Sequence, residues 1–238
     1  MNSLIKKINL NHSFIFFLFC NIFSIIIFKF SNLDISTLIC LLLILIIGVS
    51  HGALDHLKGK KLLTILNIKK SYIFYLFYIL ISISVILIWT VLPSVTLIIF
   101  LAVASFHFGK EDTQFLTNKS SNLITLLYFF RGLLVIITPL YFNFDETVSI
   151  FKMLLINNEK FYLSLSFIEN YRIIEIAIGL SALSSIILFL IEFNFKKFSI
   201  FLDFFSIIIL NYYLSPLVAF TIYFCFLHSI RHTVSLAL

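Results

Sequence analysis

The sequence predicts an all-α protein, a polytopic integral membrane helical bundle of about eight transmembrane helices in a single domain over residues 1–238. Three observations predict it. Only 12% of the residues are charged and 61% are hydrophobic, against roughly 25% charged in an ordinary soluble domain, so the chain cannot cover itself with polar surface. Apolar runs near the roughly 20 residues that a helix needs to cross a bilayer recur along the whole length, without the short alternating segments of a β-barrel. Lys and Arg are distributed unevenly between the connecting segments, as the positive-inside bias requires.

The first span is expected near 13–30, after Lys6 and Lys7. No small-residue cleavage site follows it, so it reads as a retained helix and not a removed signal. The others are expected near 35–56, 71–91, 93–109, 122–141, 172–192, 198–214 and 216–236. Pro93 and Pro216 stand at helix starts, where a missing N–H costs nothing. The segment 142–171 is the longest non-spanning stretch, and a short interfacial helix is expected there. With the N-terminus inside, twelve Lys and Arg fall on the inner side and four on the outer. That asymmetry places both termini in the cytoplasm of a multi-pass protein of the cell inner membrane. Other composition is less informative. The 30 Phe residues serve against lipid as any apolar residue would. A pI near 9.2 follows from basic loops and needs no nucleic acid. Cys20, Cys40 and Cys225 lie inside apolar runs without CxxC spacing and read as small hydrophobes.

Five of the six histidines cluster in "SHGALDH" (His51, His56), "SFHFGKED" (His107) and "FLHSIRH" (His228, His232), while His12 stands alone in the N-terminal tail. In the expected topology the three clusters end helices two, four and eight, which all run from outside to inside. At about 1.5 Å per residue, His51, His107, His228 and His232 fall in one layer roughly 18–24 Å from the outer face. His228 and His232 are spaced i, i+4 and project from one helical face, so they can ligate one metal together. Asp55 follows His51, and Glu111 follows His107, at the same spacing. Each carboxylate is placed to orient the second ring nitrogen of its histidine. His56 lies about 140° around the helix from His51 and reads as a boundary residue. Arg131, inside an apolar run, requires a partner such as Asp55 or Asp112, or a cavity to line. Arg231 falls off the face of the two C-terminal histidines and is expected to reach lipid headgroups. Phe106, Phe108, Tyr223, Phe224 and Phe226 either line a channel or face lipid.

A lone histidine at a membrane boundary is ordinarily interfacial, and HxxxH alone is a weak motif. Four at one depth in so apolar a chain point to a metal site, because ionisable groups within spans are costly and usually functional. Imidazole suits iron, copper, zinc or nickel better than magnesium or calcium. Four neutral imidazoles leave positions open on an octahedral ion, a setting for O₂ at Fe(II), whereas structural zinc closes its shell with four ligands. A site within the bilayer also points to a substrate arriving from lipid. Two other functions stay open on these residues. A di-iron hydroxylase needs about eight His or a mixed carboxylate set, and only six His are present. A His-lined metal or proton transporter would place its site at the midplane and show repeats or broken helices.

The motifs "SHGALDH", "SFHFGKED", "RGLLVIITPL" followed by "DET", and "YFCFLHSIRH", in that order from Leu41 to His232, resemble the Brp/Blh family of bacterial and archaeal β-carotene 15,15′-dioxygenases. The resemblance implies iron ligands at His51, His107, His228 and His232, an Fe(2+) cofactor and O₂ as co-substrate. It implies cleavage of the central double bond of a lipid-soluble carotenoid to give two all-trans-retinal, passed to a microbial rhodopsin. Partners are then carotenoid and membrane lipids, with no nucleic acid. The chain stops six residues after His232, where the family pattern usually continues through further hydrophobic helix, so either a C-terminally truncated or a compact form is expected.

Overall fold

The computed structural model describes residues 3–29, 35–53, 55–154 and 158–237. Among these all regular secondary structure is helical: α1 (Ser3–Lys29), α2 (Thr37–Ala53), α3 (Asp55–Ile65), α4 (Tyr72–Val91), α5 (Pro93–Thr113), α6 (Asn122–Phe142), α7 (Phe144–Met153), α8 (Glu159–Asn170), α9 (Ile173–Leu190), α10 (Ser199–Tyr213), α11 (Pro216–Tyr223) and α12 (Ser229–Ala237). A single π turn, Phe224–His228, joins α11 to α12 as one rod.

Among the described residues, six helical segments are long and apolar enough to cross a membrane: Ser3–Ile27, Tyr72–Val91, Pro93–Leu116, Asn122–Phe142, Ile173–Leu190 and Pro216–Ser235. The sequence pattern suggested about eight. The two remaining expected spans fall on α2, with 17 residues, and α10, with 15, which reach only about 22–26 Å against a hydrocarbon core near 30 Å. Apolar composition alone cannot reveal where a helix breaks. The run over 35–56 divides between α2 and α3, and the run before α10 begins with a 3₁₀ turn, Phe195–Phe198. Conversely, α1 starts at Ser3, well before the expected residue 13, and so takes His12 into the helix.

Pro93 and Pro216 do occupy the first turns of α5 and α11. The segment 142–171 carries two short helices, α7 and α8, where one was expected. Helix α4 buries none of its residues and presents Phe77, Ile81 and Ile88 outward, the all-apolar surface of a helix that faces lipid. Near the α9–α10 connection, the fully buried Lys197 ammonium donates to the Ile191 carbonyl and so satisfies an orphan acceptor at the end of α9. Burial holds that amine below the usual lysine range, with the nearby Glu192 opposing the shift.

The core is organised around the crossing of α5 and α6. A Cβ placed on Gly109 would lie 1.7 Å from the Tyr128 carbonyl oxygen, and one on Gly132 would lie 1.8 Å from that of Ser105. The two backbones therefore touch, which only glycine permits and which membrane helices favour because dispersion replaces the hydrophobic effect between them. Gly109 lies between His107 and Asp112, so this contact sets where that turn of α5 stands. Behind it, an apolar cavity of about 190 Å³ opens between α5, α6, α7, α10 and α11, lined by Phe100, Val135, Ile136, Phe220 and Tyr223 among others. Its polar edge is internally satisfied. Asn143 Nδ2 donates to the Asn211 carbonyl at 2.9 Å, and Thr147 Oγ1 donates to the Pro139 carbonyl at 3.0 Å.

Gly132→Ala should lower stability by ~3 kcal/mol, the upper range for forcing extra volume into a packed contact. Thermal melting of the detergent-solubilised protein measures this, and Gly179→Ala, where an added Cβ meets nothing within 4 Å, should melt close to the unaltered chain.

Candidate metal centre

The last two turns of α5 carry His107, Glu111 and Asp112 in helical register. The α11–α12 rod lies against them and brings Tyr223, His228, Arg231 and His232. His228 is fully buried and His107 half-buried. The ring centroids stand 5.0 Å apart for His107 and His228, 5.9 Å for His107 and His232, and 6.4 Å for His228 and His232. Three of the four histidines that the sequence aligned at one depth thus share one pocket.

Hydrogen bonding orients His228. Its Nδ1 lies 3.0 Å from Asp112 Oδ1, and a carboxylate can only accept there, so Nδ1 carries the proton and Nε2 the lone pair. That Nε2 faces His107 Nε2 at 3.2 Å. Two ligands of one ion at metal–nitrogen bonds of about 2.1 Å stand roughly 3.0–3.4 Å apart, so this pair already has the spacing of neighbouring ligands. Asp112 Oδ2 accepts the Tyr223 hydroxyl at 2.6 Å, and Glu111 Oε2 lies 3.4 Å from His232 Nδ1.

The π turn makes this arrangement possible. In a regular α-helix, Tyr223 and His228 would point about 140° apart. The Ser229 N–H bonds back to the Phe224 carbonyl, one residue further than in an α-helix, which widens the turn. The two rings then stack at 6.1 Å and 27°, and both reach the same carboxylate.

Beneath them sits a buried ion pair. Arg231 donates from Nη1 to Asp203 Oδ2 at 2.8 Å and from Nη2 to Asp203 Oδ1 at 3.1 Å. Nη2 also donates to Ser13 Oγ at 2.6 Å, and Nη1 to the Asp112 backbone carbonyl at 3.1 Å. One guanidinium therefore ties α12 to α10, α1 and α5. Arg231 is 1% exposed and does not reach lipid headgroups as its position in the sequence suggested. Its off-face direction leads into the bundle because α1 and α10 cover that side.

The donor chemistry fits a metal ion of the kind that imidazole prefers. Among the described residues no three His, Cys, Asp or Glu side chains are already grouped around one point, and a facing nitrogen pair with a third imidazole adjacent is what they provide. The formal charges in this buried layer, Glu111, Asp112 and Asp203 against Arg131 and Arg231, leave a negative surplus that favours a cation.

The sequence model of the beta-carotene 15,15′-dioxygenase family matches residues 42–238. The chain belongs to that family. A curated relative from an uncultured marine bacterium, 66A03, bears the name beta-carotene 15,15′-dioxygenase. It is 28% identical over 193 residues, which cover 81% of this chain and 66% of that protein. The chain thus spans just under two thirds of that relative's length. No solved structure matches the chain.

The dioxygenase-family chain departs from its sequence reading at several site residues. His51 is on α2, and its side chain and that of Asp55 lie outside the described residues. An added Cβ on Gly48, three residues before His51, would lie 3.6 Å from Phe224, whose ring stacks on His228 at 5.9 Å, so α2 ends beside the cluster. Glu111, paired with His107 by spacing, also lies 3.4 Å from His232 Nδ1 on the facing rod. Arg131 was expected to pair with an aspartate. It is 2% exposed, its guanidinium lies 5.8 Å from the centre of the Phe204 ring, and its Nε and Nη2 have no hydrogen-bond partner among the described residues. Asp112 is taken by Tyr223 and His228 instead. Of the five aromatics, Phe108 and Tyr223 line the cavity and Phe224 stacks on His228, while Phe226 is 37% exposed. His12 sits beside Phe16 at 6.4 Å between ring centroids and so is no isolated tail residue.

Asp203 and Ser13 were not singled out by the sequence, while Asp112 was named only as a partner for Arg131 and Tyr223 only as an aromatic near the site. A signal existed for Asp203, a lone carboxylate in "FSIFLDFFSIIIL", since a charge in an apolar run demands a partner. The hydrogen bond of Tyr223 to Asp112 had none, because its direction depends on the π turn.

Asp203→Leu should cost about 3–5 kcal/mol by leaving Arg231 buried and uncompensated. The double variant Asp203→Leu with Arg231→Met should recover most of that loss in the same melting assay.

Proposed function

We propose that this chain cleaves the central 15,15′ double bond of β-carotene with O₂, each half taking one oxygen atom to give two all-trans-retinal molecules. The observation that carries the reading is the pair of imidazole nitrogens facing each other at 3.2 Å, in a chain of this family and beside an apolar cavity. His107, His228 and His232, with His51 from α2, would hold an Fe(II) ion, which when bound supplies redox chemistry and Lewis acidity toward O₂. The chain's own residues do the rest. Asp112 orients His228 from behind, so its lone pair needs little reorganisation, and the Glu111 carboxylate stands 3.4 Å from His232 Nδ1. Phe108 packs on His228 at 4.8 Å between ring centroids and on Tyr223 at 5.6 Å, and both Phe108 and Tyr223 line the cavity. A hydrocarbon chain lying there would therefore be held against the imidazole layer and shielded from water.

This lining favours an enzyme acting on a lipid-soluble polyene over a metal or proton transporter, whose path would need polar groups along its length. The exposed apolar helices give such a substrate direct access from membrane lipid. The reading also keeps both termini on the cytoplasmic side of the inner membrane, by the distribution of Lys and Arg, and retinal as a product for a rhodopsin.

Expression in a carotene-producing bacterium should bleach its colour and yield retinal. His107→Ala should abolish retinal formation while leaving the protein in the membrane fraction, and full retinal yield from that variant would remove His107 from the metal site.

A further inference from the structure

Asp112 is the point where the site's polar contacts meet. Its Oδ1 takes His228 Nδ1 at 3.0 Å, its Oδ2 takes the Tyr223 hydroxyl at 2.6 Å, and its backbone carbonyl takes Arg231 Nη1 at 3.1 Å. The residue is 4% exposed, and all three donors come from the α11–α12 rod, whose register the π turn changes between Tyr223 and the other two. Both carboxylate oxygens are therefore occupied, each by a different donor, and the carboxylate cannot rotate without breaking one of the bonds. Removing either donor would free it.

We infer that Asp112, clamped by Tyr223 across the π turn, is the positioning residue that fixes His228 with its Nε2 lone pair turned toward His107. The inference rests on the metal reading above. It assigns the role to Asp112, and not to the carboxylate one turn after a ligand on the same helix, which spacing had selected. The physical ground is that a histidine acts as a ligand through one nitrogen only when the other donates, and that a carboxylate acceptor both sets this tautomer and strengthens the donor. Tyr223 stacks its ring on His228 but gives its hydroxyl to Asp112 alone. It acts through Asp112, as a hydroxyl that holds the carboxylate in one rotamer. The π turn is then a working part of the site, because without it Tyr223 and His228 could not share one acceptor.

The test uses purified full-length protein in detergent, stripped of metal and titrated with Co(II) as a probe, with its visible ligand-field absorption recorded. Asp112→Asn should bind Co(II) 10–100-fold more weakly, the loss usual when the acceptor behind a ligating histidine is altered, with a shifted absorption band. Asp112→Glu, which keeps a carboxylate, should recover part of both. Tyr223→Phe removes a single hydroxyl and keeps the ring packed, so it separates positioning from folding if Asp112→Asn proves unstable. It should weaken Co(II) binding several-fold at an unchanged band intensity per bound ion. Unaltered Co(II) affinity and spectrum in Tyr223→Phe and in folded Asp112→Asn would overturn the inference while leaving the metal reading intact. A lowered melting temperature in Asp112→Asn with unaltered Co(II) affinity and spectrum would also overturn it, reducing Asp112 to a packing role. Failure of the unaltered protein to take up Co(II) would overturn the metal reading itself, and the inference with it.

Discussion

Charge inside an apolar bundle has to be answered by another charge or by a dense set of donors and acceptors, because no water is there to do it. In this protein that requirement converges on Arg231. Its guanidinium reaches Asp203, Ser13 and the backbone of Asp112 at once, so four helices are held at one depth by a single side chain. Lys would not replace it, since the planar fork is what engages two carboxylate oxygens and a hydroxyl together. The histidine layer lies directly above this lock, and the positions of His228 and His232 follow from it.

A second constraint acts from the other side. The contact of Gly109 with Gly132 brings the α5 and α6 backbones together, which fixes the turn of α5 that presents His107, Glu111 and Asp112. The site is thus gripped between a polar lock on the α1–α10–α12 side and a backbone contact on the α6 side. An imidazole pair held at 3.2 Å between two such supports is preorganised, and a bound ion would not need to gather its ligands from a loose bundle. The same architecture leaves an apolar cavity against Phe108 and Tyr223. The cavity and the imidazole layer therefore meet across two aromatic rings.

The π turn connects these features. It is a local departure from helical regularity that puts Tyr223 and His228 on one carboxylate, and such turns occur frequently where a site needs a face that the α-helix does not offer. Arg131 shares the buried charge layer with Asp112, Asp203 and Arg231. Its guanidinium rests near the Phe204 ring, a cation–π contact that offsets part of the cost of burial.

Much of this was legible in the chain itself. Low charge content and long apolar runs determined a helical membrane bundle, because nothing else buries so little polarity at that length. The residue count from each helix start placed His107, His228 and His232 at one depth, because helical rise is constant. The i, i+4 spacing of His228 and His232 put both on the side facing α5. What only the tertiary structure decided is which carboxylate serves which histidine, where Arg231 goes and how many helices reach full spanning length. Glu111 follows His107 by one turn and also lies 3.4 Å from His232, a contact across helices that spacing along one helix cannot reveal. Asp112, adjacent to it in sequence, points to His228 because the π turn rotates that ring, and hydrophobic periodicity carries no trace of one inserted residue. Helix length failed for a related reason. Composition records how apolar a segment is, whereas the break at the end of α2 and the 3₁₀ turn before α10 are set by how the backbone packs against its neighbours.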